Sequence, residues 1–357
     1  KNIRCVCGES VNILNMPNYE VHYLDVSDAD SIIIRYDDGR KQYIVLIDAG
    51  NVEDSAKIKN YIWNHWNTYT IDLAICTHPD SDHKGGFFGL LNDRNITINE
   101  FWLNTPDDVI TEEEYYQRYS RRDWLSHCRE CYAHPTDTQS PNLVSLAQNK
   151  CQNVQSAYKG KSHPQIPLSV VGPTKKFYYP LAIEILKNNK KKKDEDNSLY
   201  EDVGSFSSFQ AKSSIDNEPD DCSPTNAGSI ILLFKPVDDC KFLLLGDANR
   251  AAIMDAISNN ANLAGCKIKV PHHGSKHNLT SGLIDKLAPS CAIISAKGSQ
   301  KHPSRGVVHC LSNHCNVYST HKSKGLFHTS APVNNPAIPL KKSNNINIVL
   351  VSLNSRK

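Results

Sequence analysis

The sequence predicts an α+β fold, a four-layer αββα sandwich. Two observations carry the prediction. Segments rich in β-branched and aromatic residues alternate with strand–helix segments, in the order β-rich, αβ, β-rich, αβ. Several apolar strands also end in clusters of His and Asp rather than in ordinary turns. Two sheets with helices outside suit that order better than a doubly wound parallel sheet.

The elements follow in chain order. Tyr19 to Val26, Ser31 to Arg35 and Tyr43 to Ile47 read as strands, with Asp37-Asp38-Gly39 as a hairpin turn. Val52 to Trp66 has helical spacing, with Ile58, Ile62 and Trp66 four apart. Ile71 to Thr77 is a short buried strand, and a helix is expected to begin near Gly85-Gly86. Residues 105–165 are polar and aromatic, helical around Glu112 to Cys131 and Asn142 to Tyr158, and are expected to be an insertion that shapes a pocket. Leu168 to Val171 is a strand closed by Gly172-Pro173. Residues 187–222 carry Lys190 to Lys193, then Asp194-Glu195-Asp196, and later Glu218 to Asp221; such charge blocks predict a mobile surface loop. Gly228 to Lys235 and Lys241 to Leu245 are paired strands, Arg250 to Ile257 a helix, and Ile268 to Pro271 a strand. Ser281 to Leu287 (helix), Cys291 to Ser295 (strand), a helix opened by Lys301-His302-Pro303-Ser304, and strands at Val317 to Ser319 and Ile346 to Leu353 complete the reading. The whole chain, residues 1–357, is read as one domain.

The 357 residues carry a formal charge of +2, so net charge neither demands nor excludes a nucleic-acid partner. No run of about 18 apolar residues predicts a membrane span. The opening Lys1-Asn2-Ile3-Arg4-Cys5 lacks the apolar stretch of a secretory signal. Cys76, Cys240, Cys266 and Cys291 sit in or beside strands, where a thiol packs as a small hydrophobe. Reduced thiols and a cytoplasmic location are therefore expected. Cys128 and Cys131 have C-x-x-C spacing next to His127, but the fourth ligand of a structural zinc is not evident.

The strongest chemical signal is Thr77-His78-Pro79-Asp80-Ser81-Asp82-His83, directly after a buried strand. Imidazole and carboxylate suit a divalent ion such as Zn²⁺ or Mn²⁺. In an extended loop alternate residues face opposite sides, so His78 and Asp80 are expected to face one ion and Asp82 and His83 another. A helix cap at Asp82 accounts for one carboxylate but not for the set. Asp247 ends the apolar run Phe242 to Gly246, where a bridging metal would offset its lost solvation. His272-His273-Gly274-Ser275 follows another apolar strand; one imidazole closes a metal site while the other serves as acid or orients substrate. His302, before Pro303, is a further candidate, though His-Pro also opens helices.

This set resembles the metallo-β-lactamase superfamily, and within it the soluble C-terminal domain of the ComEC competence proteins. The resemblance runs from about residue 20 to 330. It is carried by Leu24 to Asp30 with Ile32 to Ile34, by Leu46-Ile47-Asp48-Ala49-Gly50, by His78 to His83 with Gly85-Gly86, and by Thr225 to Ser229. Leu245-Gly246-Asp247, Val270 to Ser275, Pro289 to Ser295, Lys301 to Ser304 and Tyr318-Ser319-Thr320 follow in the same order. It implies the metallo-β-lactamase fold and two divalent metal ions, Zn or Mn, held by His78, Asp80, Asp82, His83, Asp247 and His273. Most of the superfamily has His where this chain has Asp80, and typical members have a further His where Thr225 or Asn226 stands. One metal position is thus poorer in nitrogen and harder, which favours Mn²⁺ there.

Two such ions would share a water, lower its pKa toward neutrality and direct the resulting hydroxide at phosphorus or a carbonyl carbon. Asp82, His272 and His302 are the candidate catalytic residues. Lys84, Lys267, Lys269, Lys276, Lys297 and Lys301 lie near the predicted loops, and a lysine-rimmed cleft attracts anions. Lys276 and Lys301, with Ser275 and Asn226, are the candidate substrate-binding residues. The expected function is a metal-dependent phosphodiesterase, a nuclease with DNA as its nucleic-acid substrate, a direction the ComEC-like resemblance also implies. Hydrolysis of a small phosphoester, a lactam or a thioester is the alternative, and a non-catalytic binding module on the same fold is the third. A protein partner is left open.

Overall fold

The computed structural model of the chain describes residues 18–120, 123–187, 207–220, 222–260, 262–296 and 302–320, and the strand Ile348–Ser352. Alternation along the strands decides the architecture. In β3 (Gln42–Ile47), Val45 and Ile47 join the apolar layer between two sheets, while Ile44 and Leu46 join a layer on the outer side. Side chains of a strand alternate in direction, so a strand apolar on both faces is covered on both.

The first sheet is built from β1 (Asn18–Asp25), β2 (Ile32–Asp37), β3, β4 (Thr70–Ile75), β5 (Thr97–Trp102) and β6 (Asn153–Gln155), with β13 (Ile348–Ser352) at its other edge. Two antiparallel pairings, β1–β2 and β2–β3, give way to the parallel run β3–β4–β5–β6. Helices α1 (Ser55–Trp66) and α2 (Ser81–Asn92) make the crossovers and cover the outer face with Ile58, Ile62, Phe87 and Leu91. Then come α3 (Glu112–Arg118), α4 (Trp124–Cys128) and α5 (Leu143–Lys150).

The second sheet contains β7 (Leu168–Gly172), β8 (Ile231–Val237), β9 (Cys240–Leu244), β10 (Lys267–Lys269), β11 (Cys291–Ile294) and β12 (Asn316–Ser319). The pairs β7–β8 and β8–β9 are antiparallel, and β9 to β12 run parallel. In chain order the helices are α6 (Lys175–Lys187), α7 (Ser208–Asp216), α8 (Pro224–Ala227), α9 (Arg250–Ser258), α10 (Ser281–Leu287) and α11 (Arg305–Ser312). Ile253, Leu283, Val307 and Leu311 pack on the outer face of this sheet. Each such fully buried aliphatic side chain contributes roughly 1.5–3 kcal/mol. The order of layers is therefore helices, sheet, sheet, helices, the predicted αββα sandwich.

Three local expectations are corrected. Helix α2 begins at Ser81, not near Gly85. The glycines serve close approach instead: a Cβ on Gly86 would stand 2.1 Å from the Ala49 carbonyl oxygen, and one on Gly85 2.6 Å from the Val52 nitrogen. The stretch read as helix from Asn142 ends at Lys150, and Asn153–Gln155 instead pairs with β5 as an edge strand. Within 187–222, residues Ser208–Asp216 form α7, capped by Ser207 and Gln210, and bury Ala211 and Ile215, one helical turn apart, in the outer layer. The lysine and acidic runs from Lys190 to Asp196 lie outside the described residues.

Part of residues 105–165 forms an apolar cluster with α6, including Tyr115, Cys128, Tyr158, Tyr178 and Ala182, whereas Leu143, Val144, Leu146 and Ala147 of α5 join the outer layer of the first sheet. His127, Cys128 and Cys131 do not converge on a metal position: the His127 Nδ1 is bound to the Tyr115 hydroxyl at 2.6 Å. Every described cysteine is a free thiol. Among the described residues no helix is long and apolar enough to cross a membrane.

His22 gives the fold a pH dependence. It is buried under α1, with Nδ1 2.7 Å from the Tyr61 hydroxyl and Nε2 3.0 Å from Glu20. Burial, opposed by Glu20 and aided by His65 and Arg35, lowers its pKa to about 4. The unfolded chain takes up that proton near the ordinary value of about 6.5, so stability falls as pH drops from about 6.5 to 4. His22→Gln keeps a partner for Tyr61 and removes the titration. Urea unfolding across that window should show a flatter acid slope, by up to roughly 3 kcal/mol over the window.

Candidate metal centre

The candidate residues meet where parallel strands end. Asp48 follows β3, Thr77 to His83 follow β4, Asp247 follows β9, His272 and His273 follow β10, and Ser295 follows β11. Loops beyond the carboxyl ends of parallel strands are the usual place for a site in α/β sheets. The two sheets are tied there by the Ile230 N–H, which donates to the Thr77 carbonyl at 2.9 Å.

The motif after β4 is not an extended loop throughout. Asp80 holds an extended conformation at the N-cap of α2, yet its side chain makes no capping bond. Asp82 and His83 lie in the first helical turn. The side chains nonetheless come together. His78 Nε2 is 3.9 Å from Asp80 Oδ2, and His83 Nε2 is 3.4 Å from Asp82 Oδ2. Asp247 Oδ2 lies between the groups, 3.9 Å from His78 Nε2 and 3.4 Å from His83 Nε2. His273 joins the second group, its Nε2 3.1 Å from Asp82 and 4.0 Å from Asp247. One donor atom from each of Asp82, His83, Asp247 and His273 fits within 4.8 Å of the others.

All four imidazoles are turned the same way. His83 Nδ1 is 2.8 Å from Asp48 Oδ2, and His273 Nδ1 is 2.7 Å from the Ser295 carbonyl. A carboxylate and a carbonyl only accept, so each Nδ1 carries hydrogen. The Thr77 hydroxyl donates to Asp48 at 2.8 Å and so accepts from His78 Nδ1 at 3.1 Å. Asn278 gives its amide hydrogens to the Asp247 and Ala248 carbonyls, which turns its Oδ1 to His272 Nδ1 at 3.1 Å. Every Nε2 thus points inward, and that of His272 stands 4.0 Å from the same Asp247 oxygen. The backbone accepts strain to achieve this: His272 and His273 are left-handed (φ 48° and 53°), as is Asp48 (φ 56°).

The donor chemistry fits divalent ions. His78 Nε2 and His83 Nε2 are buried without a hydrogen-bond partner, each aimed at carboxylate oxygens. Burial, with the nearby charge of His83, lowers the His78 pKa to about 4, so its inward nitrogen is a bare lone pair. Burial opposes charge on His83 and His273 too, but Asp247 and Asp82 outweigh it, raising His83 well above its usual range and His273 to about 9. Enclosure and the charge of Asp82 push Asp80 up to about 6, while burial of Asp82 and Asp247 is overcome by the imidazoles, which hold both low. The carboxylates thus favour positive charge at the inward nitrogens of His83 and His273.

Other predicted site residues fall differently. His302 lies beside the centre, its ring 5.3 Å from that of His272. Ser275 is buried, and its hydroxyl accepts from the His277 N–H at 3.3 Å. Asn226 is buried in α8, its amide oxygen accepting from Ser223 at 2.8 Å; next to it, Thr225 bonds to Asp80. The expected lysine rim is not formed by the described lysines. Lys84 donates to the Cys131 carbonyl at 2.6 Å, and Lys267 lies over the Phe242 ring, 5.1 Å from its centroid. Lys276 pairs with Glu218 at 2.9 Å. Lys269 is buried against Asp30. Lys297 and Lys301 lie outside the described residues. Proximity to a motif in sequence does not tell which face of a strand or turn a lysine takes.

Comparison with known proteins adds the following. No family model matches the chain. It is similar to ComE operon protein 3 of Bacillus subtilis (strain 168), with 31% identity over 98 residues. That match covers 27% of this chain and 12% of the length of that protein. Among solved structures it is similar to MEM-A1, a subclass B3 metallo-β-lactamase isolated from a soil metagenome library. The identity is 11% and the TM-score 0.33, over 73% of this chain and 78% of that one. The αββα layering and the order of motifs along the strand ends agree with the superfamily resemblance drawn from the sequence.

Asp48, Thr77, Asn278 and Ser295 were not among the predicted site residues. All but Asn278 sat within motifs already noted, and acidic or hydroxyl residues flanking ligand motifs are the signal that finds such partners. Asp48→Asn would present amide hydrogens to His83 Nδ1 and turn its hydrogen inward. Titration with Zn²⁺ or Mn²⁺ should show affinity reduced about 10–100-fold, with the fold retained by circular dichroism.

Proposed function

We propose that the chain is a metal-dependent hydrolase, and specifically a phosphodiesterase that acts as a nuclease on DNA. The observation that carries the reading is the convergence of four Nε2 atoms on one oxygen of Asp247, with two donor groups sharing that carboxylate. His78, Asp80 and Asp247 would hold one divalent ion, and Asp82, His83, His273 and Asp247 a second, Zn or Mn. Bound there, the ions supply Lewis acidity, activating water and neutralising charge that develops on a phosphoryl oxygen.

The chain's own residues supply the rest. Asp82 and Asp247 would orient the attacking water. His272, half-buried and held by Asn278, would pass a proton from Nε2 to the leaving oxygen, with the ring of His302 5.3 Å from its own. The strand-end loops fix these groups, so they need little reorganisation during reaction. The chain is read as one hydrolase domain, with residues 105–165 as an insertion docked on α2 through Lys84.

The DNA reading is supported by the ComEC-like resemblance and the similarity to ComE operon protein 3. A second reading, hydrolysis of a small phosphoester, is favoured by the engagement of the described lysines in other contacts. The deciding assay incubates single- and double-stranded DNA with the protein and added Mn²⁺ or Zn²⁺, beside Asp82→Ala and His83→Ala. Cleavage by the parent protein and its loss by at least 100-fold in both variants is expected, a size typical of removing one catalytic group. Two ions bound per chain without DNA cleavage, but with turnover of a small phosphodiester, would shift the substrate to the second reading.

A further inference from the structure

Lys269, at the end of β10, is only 1% exposed. Its ammonium contacts Asp30, donates to the Gly246 carbonyl at 3.2 Å, and lies 3.7 Å from Asp247 Oδ1. Asp30 is equally buried and sits behind the imidazoles, 3.8 Å from His83 Nδ1 and 3.9 Å from His273 Nδ1. A lysine so enclosed cannot reach a substrate. Its neighbour Asp247 divides its two oxygens between two environments. Oδ1 faces Lys269 and accepts from the His272 N–H at 3.2 Å. Oδ2 faces all four inward imidazole nitrogens.

We infer that Lys269 is a positioning residue: its ammonium holds Asp247 Oδ1 so that Oδ2 is shared by both donor groups, and Asp30 keeps that ammonium in place. The inference rests on the two-ion reading proposed above. Without the ammonium the carboxylate keeps only the His272 N–H on Oδ1 and turns more readily. The group with fewer donors, His78 and Asp80, then loses its third donor, whereas Asp82, His83 and His273 remain together. The two ion positions should separate in affinity.

Removing Lys269 alone leaves Asp30 buried and unpaired, which destabilises a fold for reasons unrelated to the centre. The test therefore neutralises both members, in D30N/K269M, and adds D30N/K269Q as a second variant that keeps a donor to Gly246. Metal-free protein is titrated with Mn²⁺ by calorimetry, with thermal unfolding as a check on the fold. The parent should take two ions per chain. Both variants should stay folded, bind one ion as the parent does, and bind the second about 10–100-fold more weakly. Electron paramagnetic resonance of the loaded parent should show coupled Mn²⁺ pairs, and of the variants isolated ions. Two ions of parental affinity in either variant would overturn the inference, as would unfolding of both variants, which would make the pair purely structural. Absence of any bound ion in the parent would instead overturn the two-ion reading on which it rests.

Discussion

The outward pinning of four Nδ1–H groups is the constraint on which the centre depends. An imidazole has two nitrogens, and which one faces a ligand is set by what the other can donate to. Here the outer acceptors are a carboxylate, a hydroxyl, an amide oxygen and a main-chain carbonyl, from Asp48, Thr77, Asn278 and Ser295. None depends on the same segment of chain as all the others. Asp48 contributes most: its carboxylate also accepts from the Thr77 N–H at 2.8 Å, so one side chain fixes the end of β4, the orientation of His83 and, through Thr77, that of His78.

The fold exists in the form that allows this. Parallel strands end on one side, and the loops after β3, β4, β9, β10 and β11 are each anchored by a strand behind and, mostly, a helix ahead. Packing against neighbours fixes the loops more than their own preferences do. The Ala49 N–H donates to the His83 carbonyl at 2.8 Å, and the Gly86 N–H to the Gly50 carbonyl at 3.3 Å, so the loop after β3 and the first turns of α2 close on each other. Only glycine at 85 and 86 permits that approach. The Ser304 N–H similarly donates to the Gly274 carbonyl at 2.9 Å, joining the loop of His302 to that of His273.

Most of the fold was legible because burial on both faces of a strand produces apolar runs such as Tyr43 to Ile47, and burial of one helix face produces the spacing of Ile58 and Ile62. The candidate ligands stood out because charged residues at the end of such runs have few other reasons to be there. His78 and Asp80, and Asp82 and His83, lie near one another although the backbone assumed for them was wrong: the first helical turn directs Asp82 and His83 to the same place. Less legible were residues whose part depends on distant chain. Lys269 and Asp30 are 239 positions apart, and no local pattern marks them as partners. The helix Ser208–Asp216 was hidden by the charges around it, since two buried residues one turn apart are a weak signal beside long acidic and basic runs.

The lysines show how the electrostatic argument changes once burial is known. A rim of exposed ammonium groups raises the local concentration of anions through the solvent, where charges act over a Debye length of roughly 8 Å. A buried ammonium acts on its contacts instead. Lys269 is surrounded by Asp30 and Asp247 and keeps its proton despite burial because those carboxylates outweigh the lost hydration. It therefore offsets negative charge that the ligands would otherwise accumulate behind the centre. A carboxylate-rich centre of this kind can be assembled in the fold before any ion is bound, with His83, His273 and the ammonium of Lys269 set against Asp30, Asp48, Asp82 and Asp247. A bound ion would take the place of positive charge on the inward imidazoles, while the lysine charge stays behind them. The division separates two tasks that one set of cations would otherwise share: holding the carboxylates together and binding what reacts.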